Sequence, residues 1–242
     1  MLTNQTFLNI IQTSFMEFIK CGTSRSTAKL KPLHGAIASD IASRLGYDYK
    51  VWSQGYQEDR EHKIDGRYID KMVDITIEDL RTHQMVGGIA VKFVMQNYSQ
   101  NSNNYFENML GETANIRAAH CPYFQMFIIL DRLPYYKRSG VLTKWESFTH
   151  HNVRKYVELA KDNVEAFYHT PNKTLIYVVH LEPNCEDIAT KDEYMDYYKS
   201  NISIMKLSES SFDYNELSKG GTVILNDYEL FIDKVYHIIK AL

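Results

Sequence analysis

Apolar residues recur every three or four positions over residues 4–20, where Phe7, Leu8, Ile11, Phe15 and Phe18 share one face. That period predicts an amphipathic helix, ended by Gly22. A second helical stripe carries Leu33, Ile37, Ile41 and Leu45, with Pro32 suited to its first turn and Gly46 to its C-terminal cap. The period then changes. "YDYKVWS" reads as a short strand and "QGYQEDREHKIDGRY" as a polar surface loop. "KMVDITIED" alternates Val73, Ile75 and Ile77 against Asp74, Thr76 and Glu78, which predicts a strand buried on one face. "THQMVGG" supplies a turn and "IAVKFVM" the partner strand.

"NYSQNSNN" is a run of amides and hydroxyls that local preference assigns to a surface loop. "YFENMLGETANIRAA" follows as a helix, despite Gly111. "PYFQMFIILD", bounded by Pro122 and Pro134, reads as a central strand. "NVRKYVELAKDNVEAFY" has Val153, Tyr156, Val157, Ala160, Val164 and Phe167 on one helical face. "KTLIYVVHLE" is another buried strand. The last helix begins with Asn226 and has Glu229 three residues on, a capping-box pattern. This alternation predicts one α/β domain over residues 1–242, with a central mixed sheet flanked by helices.

Composition supports a globular chain: 44% hydrophobic and 24% charged over 242 residues. The 18 tyrosines suit a core or a polar interface, since each has an apolar body and a polar tip. A net charge of −3 argues against a non-specific polyanion binder but leaves room for a locally basic cleft. Cys21, Cys121 and Cys185 are odd in number and widely spaced, as free thiols of a reducing cytoplasm would be. They form no zinc pattern. The first residues lack a signal-peptide pattern, and no apolar run is long enough to cross a bilayer.

The candidate chemistry lies in the hairpin. Side chains on one face of paired strands come within a few ångströms of each other. Asp74 on the first strand and Lys92 on the second therefore converge, with Asp65 and Asp70 as nearby alternatives for the acid. Phosphodiester hydrolysis needs a carboxylate-held metal, an activated water and a cation near the developing charge. Ala90 stands two residues before Lys92, where such a site wants an acid. An exposed strand also offers an Asp and a Lys without any such role.

The stretches "KLKPLHGAIA", "GRYIDKMVDITI" and "GGIAVKFVMQNYSQNSNNYFENMLGETANIR" resemble a family of type II restriction endonucleases of the PD-(D/E)xK superfamily. The likeness covers most of residues 20–165 and is most specific from Lys71 to Arg117. It implies a restriction-endonuclease-like domain with a catalytic core at about residues 20–180. The C-terminal part would serve recognition or dimerisation. By position, Asp74 is the metal-binding aspartate, Lys92 the catalytic lysine, the Val91 carbonyl a further ligand for Mg²⁺, and Ala90 the place of the missing acid.

Two accounts of Ala90 follow. Glutamate at position 90 has been replaced, impairing a site-specific nuclease that still binds double-stranded DNA. Or a helix glutamate, Glu112 or Glu107, supplies the acid. The resemblance implies a homodimer in the cytoplasm. Candidate DNA contacts are Asn97, Tyr98, Ser99, Gln100, Asn101, Asn103 and Asn104, with Arg117 and the basic group Arg25, Lys29 and Lys31. Glu17 and His34 are expected to be structural. The competing expectations are a catalytically dead nuclease-fold DNA-binding protein, and an α/β protein that binds another protein through its tyrosines.

Overall fold

The structure is a computed structural model and describes residues 1–22, 28–209 and 221–242. Helix α1 (Asn4–Cys21) starts at Thr3, whose hydroxyl accepts from the Thr6 N–H, and stops at Gly22 in the left-handed region. Helix α2 (Lys31–Leu45) has its proline in the first turn and ends at Gly46, as the sequence predicts. The chain then gives strands β1 (Tyr49–Ser53), β2 (His62–Ile64), β3 (Lys71–Val73), β4 (Ile75–Asp79) and β5 (Gln84–Val94). Helix α3 (Tyr98–Arg117) and strand β6 (Tyr123–Leu130) follow, then a hairpin of β7 (Arg132–Tyr136) and β8 (Leu142–Ser147). The last elements are α4 (His150–Ala160), β9 (Lys173–Glu182), α5 (Lys191–Ser200), β10 (Ile204–Leu207), β11 (Val223–Leu225) and α6 (Tyr228–Lys240).

A mixed seven-stranded sheet organises these elements, in the order β1-β4-β5-β6-β9, with β10 and β11 both on the outer edge of β9. β1, β4 and β5 run antiparallel; β5, β6 and β9 run parallel. Parallel strands buried on both faces need near-continuous apolar sequence. β6 supplies it, with all eight residues buried. One face is covered by α1, α2 and α6: Phe7 stacks on Tyr228 at 4.0 Å, and Phe231 meets Phe124 edge-on at 6.5 Å. The other face carries α3 and α4, where Tyr98 lies 6.2 Å from Phe127 and Phe106 lies 5.2 Å from Tyr156. The architecture is thus α/β, as expected. Tyr123, Tyr156, Tyr177, Tyr194 and Tyr228 are among the largest fully buried side chains, so much of the tyrosine serves the core rather than a surface.

Several elements depart from the periodicity. The polar stretch after β1 contains a strand, β2, which pairs with β3. The turn of the central hairpin is shorter than expected, and Gly87 and Gly88 lie inside β5. Added Cβ atoms there would meet Ile239 and Ile64 side chains at 2.5 Å, so the glycines mark close packing. All five residues of β4 are buried, not one face alone. Glu78 accepts from the Trp52 indole at 2.9 Å and Asp79 from Arg81, which compensates the burial of their charges. The helix expected over residues 152–168 ends at Ala160. Asp227, not Asn226, caps α6; Asn226 instead accepts from the Val178 N–H and Glu229 from the Asn4 N–H.

Candidate active site

The backbone ladder between β4 and β5 stops at the pair Ile75–Ile89. One residue further, Asp74 falls opposite Ala90 and on the same face. The N–H of Val91, left without a strand partner, donates to Asp74 Oδ2 at 2.7 Å. A residue's N–H and C=O point toward the same neighbouring strand in an extended chain. The Val91 carbonyl therefore also faces the Asp74 side. On the far side of β5, Ala90 pairs with Gln125 of β6 and Lys92 with Phe127. Asp74, just before β4, thus forms a row with Ala90 of β5 and Gln125 of β6, with Lys92 one step along it.

Helix α3 closes this row from above. Asp74, Ala90, Lys92, Glu112, Gln125 and Tyr105 line one cavity of about 320 Å³. Glu112 is held by Lys71 at 2.5 Å. Lys92 Nζ lies 4.6 Å from the centre of the Tyr105 ring, a cation–π contact that fixes its direction. Burial, with a smaller contribution from the Glu112 charge, raises the Asp74 carboxyl to about 6, against the pull of Lys92, Lys71 and the Val91 N–H. Two carboxylates that repel across a half-buried cleft suit a divalent cation. Asp74, Glu112 and the Val91 carbonyl are oxygen donors of the kind Mg²⁺ prefers, and the cavity leaves room for its waters. The residues fit the metal that the sequence resemblance implies.

Gln125 is 7% exposed and its Nε2 has no hydrogen-bond partner. It points onto the face of Ala90. Gln125 lines the cavity, so its Nε2 is a donor available to a ligand there.

No family model, curated protein or solved structure matches this chain.

Of the predicted residues, Asp74, Ala90, Val91, Lys92 and Glu112 come together, while Glu107 is exposed and does not line the cavity. Asp65 and Asp70 are exposed and lie apart from it. The expected amide-rich loop is the first part of α3. Asn97 is not free for DNA: its amide donates to the Tyr136 carbonyl and accepts from the Tyr136 N–H, at 2.8 and 3.0 Å. Tyr98 is core, and Ser99 donates through both N–H and hydroxyl to Glu146. Asn101 bonds to Tyr105. Gln100, Asn103 and Asn104 remain exposed.

The basic group also divides. Arg25 lies outside the described residues. Lys31 pairs with Asp59 at 2.6 Å. Lys29 is buried close to Lys92, and burial lowers its pKa.

Arg117, expected as a phosphate contact, is buried. The residue is 8% exposed, and its guanidinium donates to the carbonyls of Val164, Phe167 and Thr170 at 2.7–2.8 Å. Arg117→Lys is expected to cost about 2 kcal/mol in urea unfolding, because a lysine cannot present the planar fork. The salt dependence of duplex binding should stay that of the parent, and a shallower slope would restore the phosphate role.

Sequence reasoning missed Gln125 and Glu61. Glu61 approaches Asp74 from outside the cavity, and burial and the Asp74 charge raise its pKa. A lone Gln in an apolar strand and a lone Glu in a polar loop carry no spacing signal.

Proposed function

We propose that the chain is a Mg²⁺-dependent, site-specific double-stranded DNA endonuclease of the restriction type, acting as a homodimer in the cytoplasm. The observation that carries this reading is the convergence of Asp74, Lys92 and Glu112 on one cavity around Ala90. In this reading Glu112 is the second carboxylate, so position 90 need not carry one. Mg²⁺ bound by Asp74, Glu112 and the Val91 carbonyl would supply Lewis acidity at the phosphate and acidify a water. The Lys92 ammonium orients that water and balances the negative charge that grows on the phosphate oxygens. Lys71 holds Glu112 in position, and the Gln125 Nε2 is a donor for a phosphate oxygen. Hydrolysis would leave a 5′-phosphate. Two-fold symmetry would match a palindromic site. The exposed Gln100, Asn103 and Asn104 are the remaining amides for contact with DNA.

A second reading has its own support. The partnerless Gln125 Nε2 beside Ala90 is what a glutamate at position 90 would satisfy, which favours a disabled enzyme that binds DNA without cutting.

Bacteriophage DNA with Mg²⁺ separates the two. Discrete fragments from the parent, reduced by roughly 10²–10³-fold in Glu112→Gln, are the expected result. Fragments from Ala90→Glu alone would select the disabled enzyme. Neither cutting nor salt-dependent duplex binding by any of the three would end the nuclease reading.

A further inference from the structure

Asp74 has a second set of neighbours that the proposed nuclease site does not use. His34 comes from the first turn of α2, Glu61 from the residue before β2, and Asp74 from the gap between β3 and β4. One ligand atom from each lies within 4.8 Å of the other two. Neither His34 nor Glu61 lines the cavity of Lys92 and Glu112. We infer that His34, Glu61 and Asp74 form a binding site for a divalent transition-metal ion.

The alternative is a polar cluster held only by protein contacts, and three observations weigh against it. His34 is 4% exposed and its Nε2 has no hydrogen-bond partner, a loss that a structural histidine normally avoids. Glu61 has no lysine or arginine ion pair among the described residues, although it faces a second carboxylate. Both carboxylates are already oriented by neutral donors: Gln54 Nε2 to Glu61 Oε1 at 2.9 Å, and the Val91 N–H to Asp74 Oδ2. Outer contacts of that kind fix ligands while leaving lone pairs for a metal.

The donor set names the class of ion. One imidazole nitrogen with two carboxylates suits Mn²⁺, Co²⁺ or Zn²⁺ better than Mg²⁺ or Ca²⁺, which take oxygen almost exclusively. Bonds of about 2.1 Å place ligand atoms roughly 3–4 Å apart, so side-chain rotation closes the cluster. The backbone that brings the ligands together is closely packed. Gly35 of α2 abuts Gly55 so closely that a Cβ on Gly35 would lie 2.1 Å from the Gly55 oxygen. This contact sets α2 against the segment leading to Glu61.

The test is a CoCl₂ titration of the full chain by calorimetry, with proton NMR for the far-shifted imidazole N–H of a cobalt-bound histidine. The parent is expected to bind Co²⁺ and show that resonance. In the Glu112→Gln background, which lacks the second carboxylate of the proposed Mg²⁺ site, His34→Ala and Glu61→Gln should each weaken Co²⁺ binding at least tenfold, and His34→Ala should remove the resonance, while circular dichroism confirms folding. Where His34→Ala fails to fold, His34→Gln takes its place. Glu112→Gln should keep both the binding and the resonance whatever happens to DNA cleavage, which separates this site from the nuclease reading. In the Glu112→Gln background, Co²⁺ binding that survives loss of His34 at parental strength overturns the inference, as does absence of Co²⁺ binding from the parent.

Discussion

Asp74→Asn is expected to melt higher than the parent at pH 7.5 in EDTA and to cleave DNA roughly 10⁴-fold more slowly with Mg²⁺, the scale of loss seen for a central catalytic group. The stability gain follows from the raised Asp74 pKa of about 6. A carboxyl whose folded pKa lies above its unfolded value is strained when ionised, and the deficit is present in full above the folded pKa. It amounts to about 3 kcal/mol, net of the attraction from Lys92 and Lys71. Asparagine keeps an oxygen for the Val91 N–H and removes the charge. About 2 kcal/mol of gain, or about 5 °C in Tm, is expected for a chain of this size.

The pH dependence sharpens the test. Asp74 strain is relieved as pH falls through 6. His34 has the opposite sign: burial lowers its pKa from 6.5 to about 4, so the stability of its neutral form is lost as pH falls through that window. The two offset each other in the parent. Asp74→Asn should therefore lose stability on acidification from pH 6.5 to 4 more steeply than the parent. A variant that melts lower than the parent at pH 7.5 would mean that Lys92, Lys71 and the Val91 N–H stabilise the ionised carboxylate by more than burial costs it, and retained cleavage would remove Asp74 from the site.

Gly35→Ala is the second large effect. Alanine is better than glycine in a helix by about 1 kcal/mol. Here the added Cβ meets a backbone oxygen at 2.1 Å rather than a side chain that can turn aside. Overpacking against backbone costs about 3 kcal/mol or more, so the clash wins. A net loss of about 2–3 kcal/mol, or 5–10 °C in Tm, is expected by calorimetry. An unchanged or higher Tm would mean that α2 and the segment after β1 do not approach this closely.

The sequence made the regular elements readable where burial follows one period. Phe7, Ile11, Phe15 and Phe18 mark α1, and the unbroken apolar run of β6 marks a central strand. It misled where a tertiary contact overrides a local preference. Asn97 and Ser99 favour a loop in isolation, but Tyr136 and Glu146 take up their hydrogen bonds and α3 starts there. Val164 and Phe167 sit at helical spacing, but α4 stops at Ala160 and the carbonyls of Val164 and Phe167 accept from Arg117. Asp74 and Lys92 were legible because strand geometry fixes which residues share a face. Glu112 was a candidate only, since its approach depends on how α3 is rotated about its axis. His34 was expected to be structural, and its nearness to Glu61 depends on a helix-to-loop contact between two glycines.

The rotation of α3 about its axis is fixed from outside the cleft. Each residue of a helix turns it by about 100°, so a slip of one position would carry Glu112 to the outside. α3 is held at both ends: Asn97 ties its start to β7, while Asn115 and Arg117 tie its last turn to the 66–69 and 164–170 segments. The helix behaves as a shaft clamped in two bearings, with its torsional freedom taken up by residues that touch neither Asp74 nor Glu112. The distance between those two carboxylates is thus a property of the mounting, and substitutions at the clamps would retune it without altering a single group inside the cleft.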